Sequence, residues 1–139
     1  MGCNPYREYH AASVTGKSVA ELAVMVFDGL VRFLDQAKQR MQANDAEGSQ
    51  RLLSRARTIV LHLIGLVNEE ADNLAVARLR GLYFFCLEKI ITAGFNQSVP
   101  DVDQALRVLG TLQETWLELE ARERTGKAPE PQLESTAVA

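Results

Sequence analysis

Ser18-Val19-Ala20-Glu21-Leu22-Ala23-Val24-Met25-Val26-Phe27-Asp28-Gly29-Leu30-Val31-Arg32-Phe33-Leu34 is the stretch on which the fold class turns. Ser18 and Glu21 have the spacing of a capping box, in which the Ser hydroxyl accepts from a first-turn amide and the Glu reaches back. Behind that start, Val19, Ala23, Val26, Leu30, Phe33, Ala37 and Met41 recur at steps of three and four, the period of one helix face. No proline interrupts the chain between Tyr6 and Val99, and Leu plus Ala outnumber Val plus Ile by 35 to 16. Leu and Ala favour helix, whereas the β-branched pair favours strands. The whole chain therefore reads as all-α.

Polar breaks at 43–48, 68–73 and 96–100 separate three further helical segments. The second begins near Asp45, with Leu52, Leu53, Ala56, Ile59, Val60, Leu63, Ile64 and Val67 along one side. The third runs from about Asn73 to Gly94 and carries Leu79, Leu82, Tyr83, Cys86, Leu87, Ile90 and Ile91. The fourth starts at Ser98, with Pro100 tolerated in its first turn, and Val102, Ala105, Leu106, Leu109, Leu112, Trp116 and Leu119 form its stripe. Short links between long helices favour antiparallel neighbours. The expected architecture is an antiparallel up-down four-helix bundle over 18–122. An N-terminal arm or cap precedes it over 1–17, and a flexible, disordered C-terminal tail follows over 123–139.

The chain has 139 residues, a single-domain length, with 47% hydrophobic and 24% charged residues and a net charge of −3. No positive excess draws it to nucleic acid or an anionic membrane. No apolar run is long enough to span a bilayer. The N-terminus lacks a basic region followed by an apolar stretch, so no secretory signal is read. Tyr6 stands where a myristoylation motif needs Ser or Thr. Cys3 and Cys86 cannot build a disulfide scaffold and read as free thiols of a reducing compartment. The sequence thus points to a cytoplasmic protein.

Chemistry-bearing patterns are missing. A carboxylate-bridged metal pair in a bundle needs Glu-x-x-His on two helices. The two histidines, His10 and His62, each lack the Glu three residues before. His62 reads as a helix-edge or partly buried side chain. Thr15-Gly16-Lys17-Ser18 shares only the last letters of a phosphate loop and reads as a turn before a cap. Glu69, Glu70 and Asp72 read as a solvated turn rather than a catalytic acid pair, because nothing around them offers an apolar pocket. Cys86 reads as a small core residue. The expectation is no enzyme, no metal and no cofactor.

What remains is a surplus of apolar helix surface. Leu22 to Phe27 with Leu30, Val31, Phe33 and Leu34 wraps most of the way round a helix. A bundle helix needs a stripe of roughly 100° or slightly more. Ile59 to Val67 and Leu82 to Leu87 with Ile90 and Ile91 show the same excess. Such faces mark a binding groove or an oligomer interface. They can also be a thick single core, or pair with themselves in a homodimer. Gly29, in mid-helix, suggests a close approach by a helix or ligand, since Gly there costs ~1 kcal/mol relative to Ala. Tyr6 and Tyr9 put two amphipathic rings on the arm, suited to docking on an apolar groove. The residues expected to bind a partner are Tyr6, Tyr9, Leu22, Met25, Val26, Phe33, Ile59, Leu63, Leu66, Tyr83, Leu87 and Ile90.

From Tyr6 to Leu119 the chain resembles the flagellin-specific secretion chaperones of bacterial flagellar export, the FliS type. Tyr6-Arg7-Glu8-Tyr9 resembles the family's paired N-terminal tyrosines. Met25-Val26-Phe27-Asp28-Gly29 resembles its Met-Leu-Tyr-Asp-Gly segment. Leu53, Ala56, Ile59 and Leu63 match its second-helix pattern, and Leu79 with Leu82-Tyr83-Phe84 matches its Asn-Leu-x-x-Leu-Tyr signature. Val108-Leu109, Leu112 and Thr115-Trp116 resemble its closing pattern. Arg78 and Phe27 depart from it, standing where the family has Asn and Tyr. The resemblance implies a helical bundle that binds the C-terminal segment of flagellin one to one, holds it unpolymerised and delivers it to the flagellar type III export gate. It also implies that the tyrosine arm covers the groove when no client is bound. The competing expectation is a structural homodimer with no flagellin client, and a weak homodimer is compatible with either reading.

Overall fold

The computed structural model describes residues 17–67 and 73–126. Within them lie four α-helices: α1 Val19–Gln42, α2 Ala46–Leu66, α3 Leu74–Asn96 and α4 Val99–Arg124. Each helix begins where its capping residue places it. Ser18 and Glu21 form the expected capping box, Ser18 Oγ accepting from the Glu21 amide at 3.0 Å and Glu21 Oε1 accepting from the Ser18 amide at 2.8 Å. Asp45, Asn73 and Ser98 cap the other three through side-chain oxygens that accept first-turn amides. Gln97, in the left-handed conformation (φ 50°), ends α3 and lets α4 start two residues later.

The helices close a ring in which α1 packs on α2 and α4, and α3 packs on α2 and α4. Antiparallel order is fixed by cross-helix contacts. Lys38 near the end of α1 meets Asp103 near the start of α4 at 2.7 Å, and Gln50 early in α2 donates to the Gly94 carbonyl late in α3 at 2.7 Å. The architecture is thus the expected up-down four-helix bundle. The segments expected as arm (1–17) and tail (123–139) fall almost wholly outside the described residues.

Phe27, Leu30, Leu34, Ala37, Leu53, Ala56, Val60, Cys86, Ile90, Val102, Ala105 and Leu109 form the core. On α1 the buried stripe is rotated from the expected one. Ala20, Phe27 and Leu34 point inward, whereas Val19 and Val26 are exposed. Leu82 and Ile91, expected on the inner stripe of α3, are also exposed. Both shifts have one cause: where apolar residues run nearly round a helix, their period no longer selects a face, and the neighbouring helices decide.

One end of the bundle, where α1 and α3 finish and α2 and α4 begin, is tightly closed. Ser49 is fully buried, its hydroxyl lying 2.8 Å from the Ala46 carbonyl and 3.1 Å from Gln97 Oε1, so that a single proton is shared between two acceptors. A Cβ added to Gly94 would stand 3.2 Å from Gln50 Oε1 and 3.3 Å from Leu53 Cδ1, so Gly94 marks the close approach of α3 to α2. Gly29 does not play that part: a Cβ there would meet nothing within 4 Å, and the expected close approach is absent.

Candidate functional site

Cys86 is sealed in the core and faces the Ala105 carbonyl at 3.9 Å; burial pushes its thiol up to about 12. Burial does the same to the Tyr83 hydroxyl. Neither is a reactive group at neutral pH. His62 is exposed. Among the described residues no cluster of His, Cys, Asp or Glu could hold a metal ion, and no helix is long and apolar enough to cross a membrane. His10 and the Glu69, Glu70, Asp72 group lie outside the described residues.

The apolar surface is the feature that needs explaining, and it flanks α2 on both sides. Arg55 of α2 stacks over the Phe33 ring of α1, 5.8 Å from its centroid. That contact fixes the register of an α1/α2 seam. Leu22, Val26 and Phe33 follow one another at helical spacing on α1, and Leu66 and Ile59 do so in reverse on α2. Val26 is exposed, and Leu22, Phe33, Ile59 and Leu66 are half-buried. On the other side of α2, Ile91 and Phe95 of α3 line a cleft of about 220 Å³ with Gln50, Leu53, Ser54 and Arg57, and Ile90 and Gly94 complete its wall. Phe95 is 88% exposed, and Phe84, Leu61 and Ile91 are about half exposed. A phenylalanine open to water in the last turn of α3 is a cost to the isolated chain that a partner would remove.

The residues expected to bind a partner divide three ways. Met25 and Val26 are exposed, Leu22 and Leu66 are half-buried, and Phe33, Ile59, Leu63 and Leu87 are half-buried against the core. Tyr83 and Ile90 lie in the core, 4% and 2% exposed. Tyr83 points inward beside Cys86, and Ile90 reaches the α2/α3 cleft only as its buried floor. Tyr6 and Tyr9 lie outside the described residues. Phe95 and Leu74, the most exposed large apolar residues, were not anticipated. Phe95 follows Phe84 by three helical turns and Ile91 by one, so its membership of an outer stripe was readable from spacing alone.

Comparison with known proteins identifies this kind of bundle. The family model described as flagellar protein FliS matches residues 2–123. The chain belongs to the FliS family. The flagellar secretion chaperone FliS of Escherichia coli (strain K12) is 25% identical over 108 residues, covering 77% of this chain and 79% of that protein. The flagellar secretion chaperone FliS of Campylobacter jejuni (serotype O:6) is 24% identical, covering 85% and 92%. That of Bacillus subtilis (strain 168) is 21% identical, covering 88% and 93%. These FliS relatives are named as chaperones, not as enzymes.

Proposed function

We propose that this FliS-family protein is a cytoplasmic export chaperone. It binds the C-terminal helical region of flagellin in the apolar grooves flanking α2, prevents premature polymerisation and hands the client to the flagellar type III export gate. The observation that carries this reading is the outer apolar stripe Phe84–Ile91–Phe95 opposite Leu61, with Phe95 88% exposed. Amphipathic client segments that bury their faces only in a finished filament would aggregate before assembly. Grooves of this chemistry accept them as helices. Apolar burial contributes about 25 cal/mol per Å², offset by the cost of ordering a flexible client, so a long wrapped contact along more than one groove is required. In this reading the Tyr6/Tyr9 arm occupies part of a groove until the client displaces it, a shift between two populations.

The test is a mixture with a flagellin C-terminal segment, sized by light scattering after gel filtration. A one-to-one complex, weakened by Phe95→Ser, is expected. A chain that runs as a dimer and ignores the segment would instead assign the Phe84–Ile91–Phe95 stripe to a second copy. Removal of residues 1–12 should raise client affinity or dye binding to the grooves; no change in either would exclude the arm as a competitor.

A further inference from the structure

Charge is distributed unevenly round the ring. Helix α2 carries Arg51, Arg55 and Arg57 against Glu47 alone, whereas α4, on the opposite corner, carries six acidic residues against three arginines. A protein of net charge −3 thus has a locally cationic edge.

That edge is shaped. Between α1 and α2, at the closed end, lies an open cleft of about 680 Å³. Arg40, Arg51 and Arg55 surround it, with the amides of Gln36 and Gln39 on the rim and Leu52 on the floor. Its one carboxylate, Asp45, is already engaged: Oδ1 accepts from the Gly48 amide at 2.9 Å and Oδ2 lies 3.5 Å from Arg40. Among the described residues Arg51 has no ion-pair partner. Arg55 is held against the Phe33 ring, which orients its guanidinium without neutralising it. The walls are rigid, because Ala37, Met41, Leu53 and Ala56 behind them are buried. Arg55 stacks on Phe33, and further along the two helices Val26 is exposed while Ile59 and Leu66 are half-buried, so apolar surface lies beyond the cationic cleft.

We infer that the α1/α2 cleft is a docking site for an acidic amphipathic helix of a partner protein, with its carboxylate-bearing end over Arg51 and Arg55 and its apolar end along Val26 and Ile59. Arg51 and Arg55 are four residues apart, about 6 Å along the axis. Glutamates four apart on a helix lying alongside have the same pitch, so both pairs form at once, and guanidinium groups favour two-pronged pairing with carboxylates. A single exposed pair contributes little. Arg51 and Arg55 together, with the apolar side chains of α1 and α2 beyond them, set both partner choice and orientation. The apolar end of this site is the α1/α2 seam assigned above to the client, so the inference adds the charge chemistry of that groove's occupant. Equal peptide affinities would overturn it, whereas absence of a one-to-one complex with the flagellin segment would overturn only the flagellin reading.

The probe is a fluorescent helical peptide of about 18 residues, with glutamates four apart in its N-terminal half and leucines on the same stripe in its C-terminal half. A second peptide replaces the glutamates by glutamine. Anisotropy titrations use the full chain at low and physiological salt. The glutamate peptide is expected to bind at least about tenfold tighter, which is 1.4 kcal/mol, with the difference shrinking as salt rises. R51E/R55E should erase the preference, and Arg107→Glu, exposed on α4 away from both clefts, should leave it. Equal affinity for the two peptides on the unmodified chain overturns the inference without relying on any variant. So does an Arg107→Glu effect as large as that of R51E/R55E, which would indicate diffuse charge rather than a shaped site.

Discussion

Ala37, Ser49, Ala56, Ala93, Gly94 and Ala105 lie at the closed end of the bundle or next to it, and all are buried. At the opposite end lie Leu22, Leu63, Leu66, Leu79, Leu112 and Trp116, and each keeps part of its surface open to water. The end with the larger side chains is the less buried one. Small residues let helix backbones approach closely, so that neighbours interlock and polar links such as Gln50 to Gly94 and Ser49 to Gln97 can form. Large side chains at the other end cover one another only in part. Of the residues before Phe27, beyond Val60, before Tyr83 or after Leu109, only Ala20 is buried among those described. Stability is therefore concentrated at one end, and unspent apolar surface is left at the other and along the seams of α2.

The sharpest way to break this comparison is a matched pair of truncations. Leu34→Ala removes a fully buried side chain and should cost about 2–5 kcal/mol in urea unfolding. Met25→Ala, 55% exposed, should stay within about 0.5 kcal/mol. Similar losses at the two sites would refute the asymmetry. A smaller effect is expected of Ser49→Ala, which removes a buried hydroxyl that donates at the closed end and should cost about 1 kcal/mol.

Alkaline pH should act through the core as well. Cys86 and Tyr83 have their folded-state values raised to about 12 by burial, above ordinary values of 9.0 and 10.0. Below pH 9 both are protonated folded or unfolded. As pH rises from 9 toward 12 the unfolded chain releases these protons first, so stability falls across that window. Cys86→Ala should flatten the early part of that fall in urea midpoints measured at stepped pH. One substitution is expected to give a small gain. Gly29→Ala adds a methyl where nothing stands within 4 Å and should raise stability by about 0.5–1 kcal/mol. A loss there would mean that α1 is packed more closely than described.

The fold was largely legible because helix starts are local events. Ser18, Asp45, Asn73 and Ser98 each announce a first turn by side-chain chemistry that needs no tertiary context. The binding surface was legible only in part. In Leu82-Tyr83-Phe84-Phe85-Cys86-Leu87 every position is apolar or aromatic, so the period cannot say that Tyr83 and Cys86 turn inward while Phe84 and Phe85 stay outside. That choice belongs to α2 and α4. The same ambiguity rotated the stripe of α1. Phe95 and the arginines of α2 were a different matter, since their spacing and charge pattern were present in the sequence.

Hydrogen exchange read by mass spectrometry, on the chain alone and with a flagellin C-terminal segment, tests the central claim most directly. Alone, amides in 20–26, 61–66 and 74–82 should exchange well before those in 49–56, 86–93 and 102–109. With the segment bound, protection should rise along both seams of α2, over 22–33, 59–66 and 84–95, and stay constant over 102–109. Uniform exchange along the bundle, with no gain on either side of α2 when the segment is added, would contradict the account.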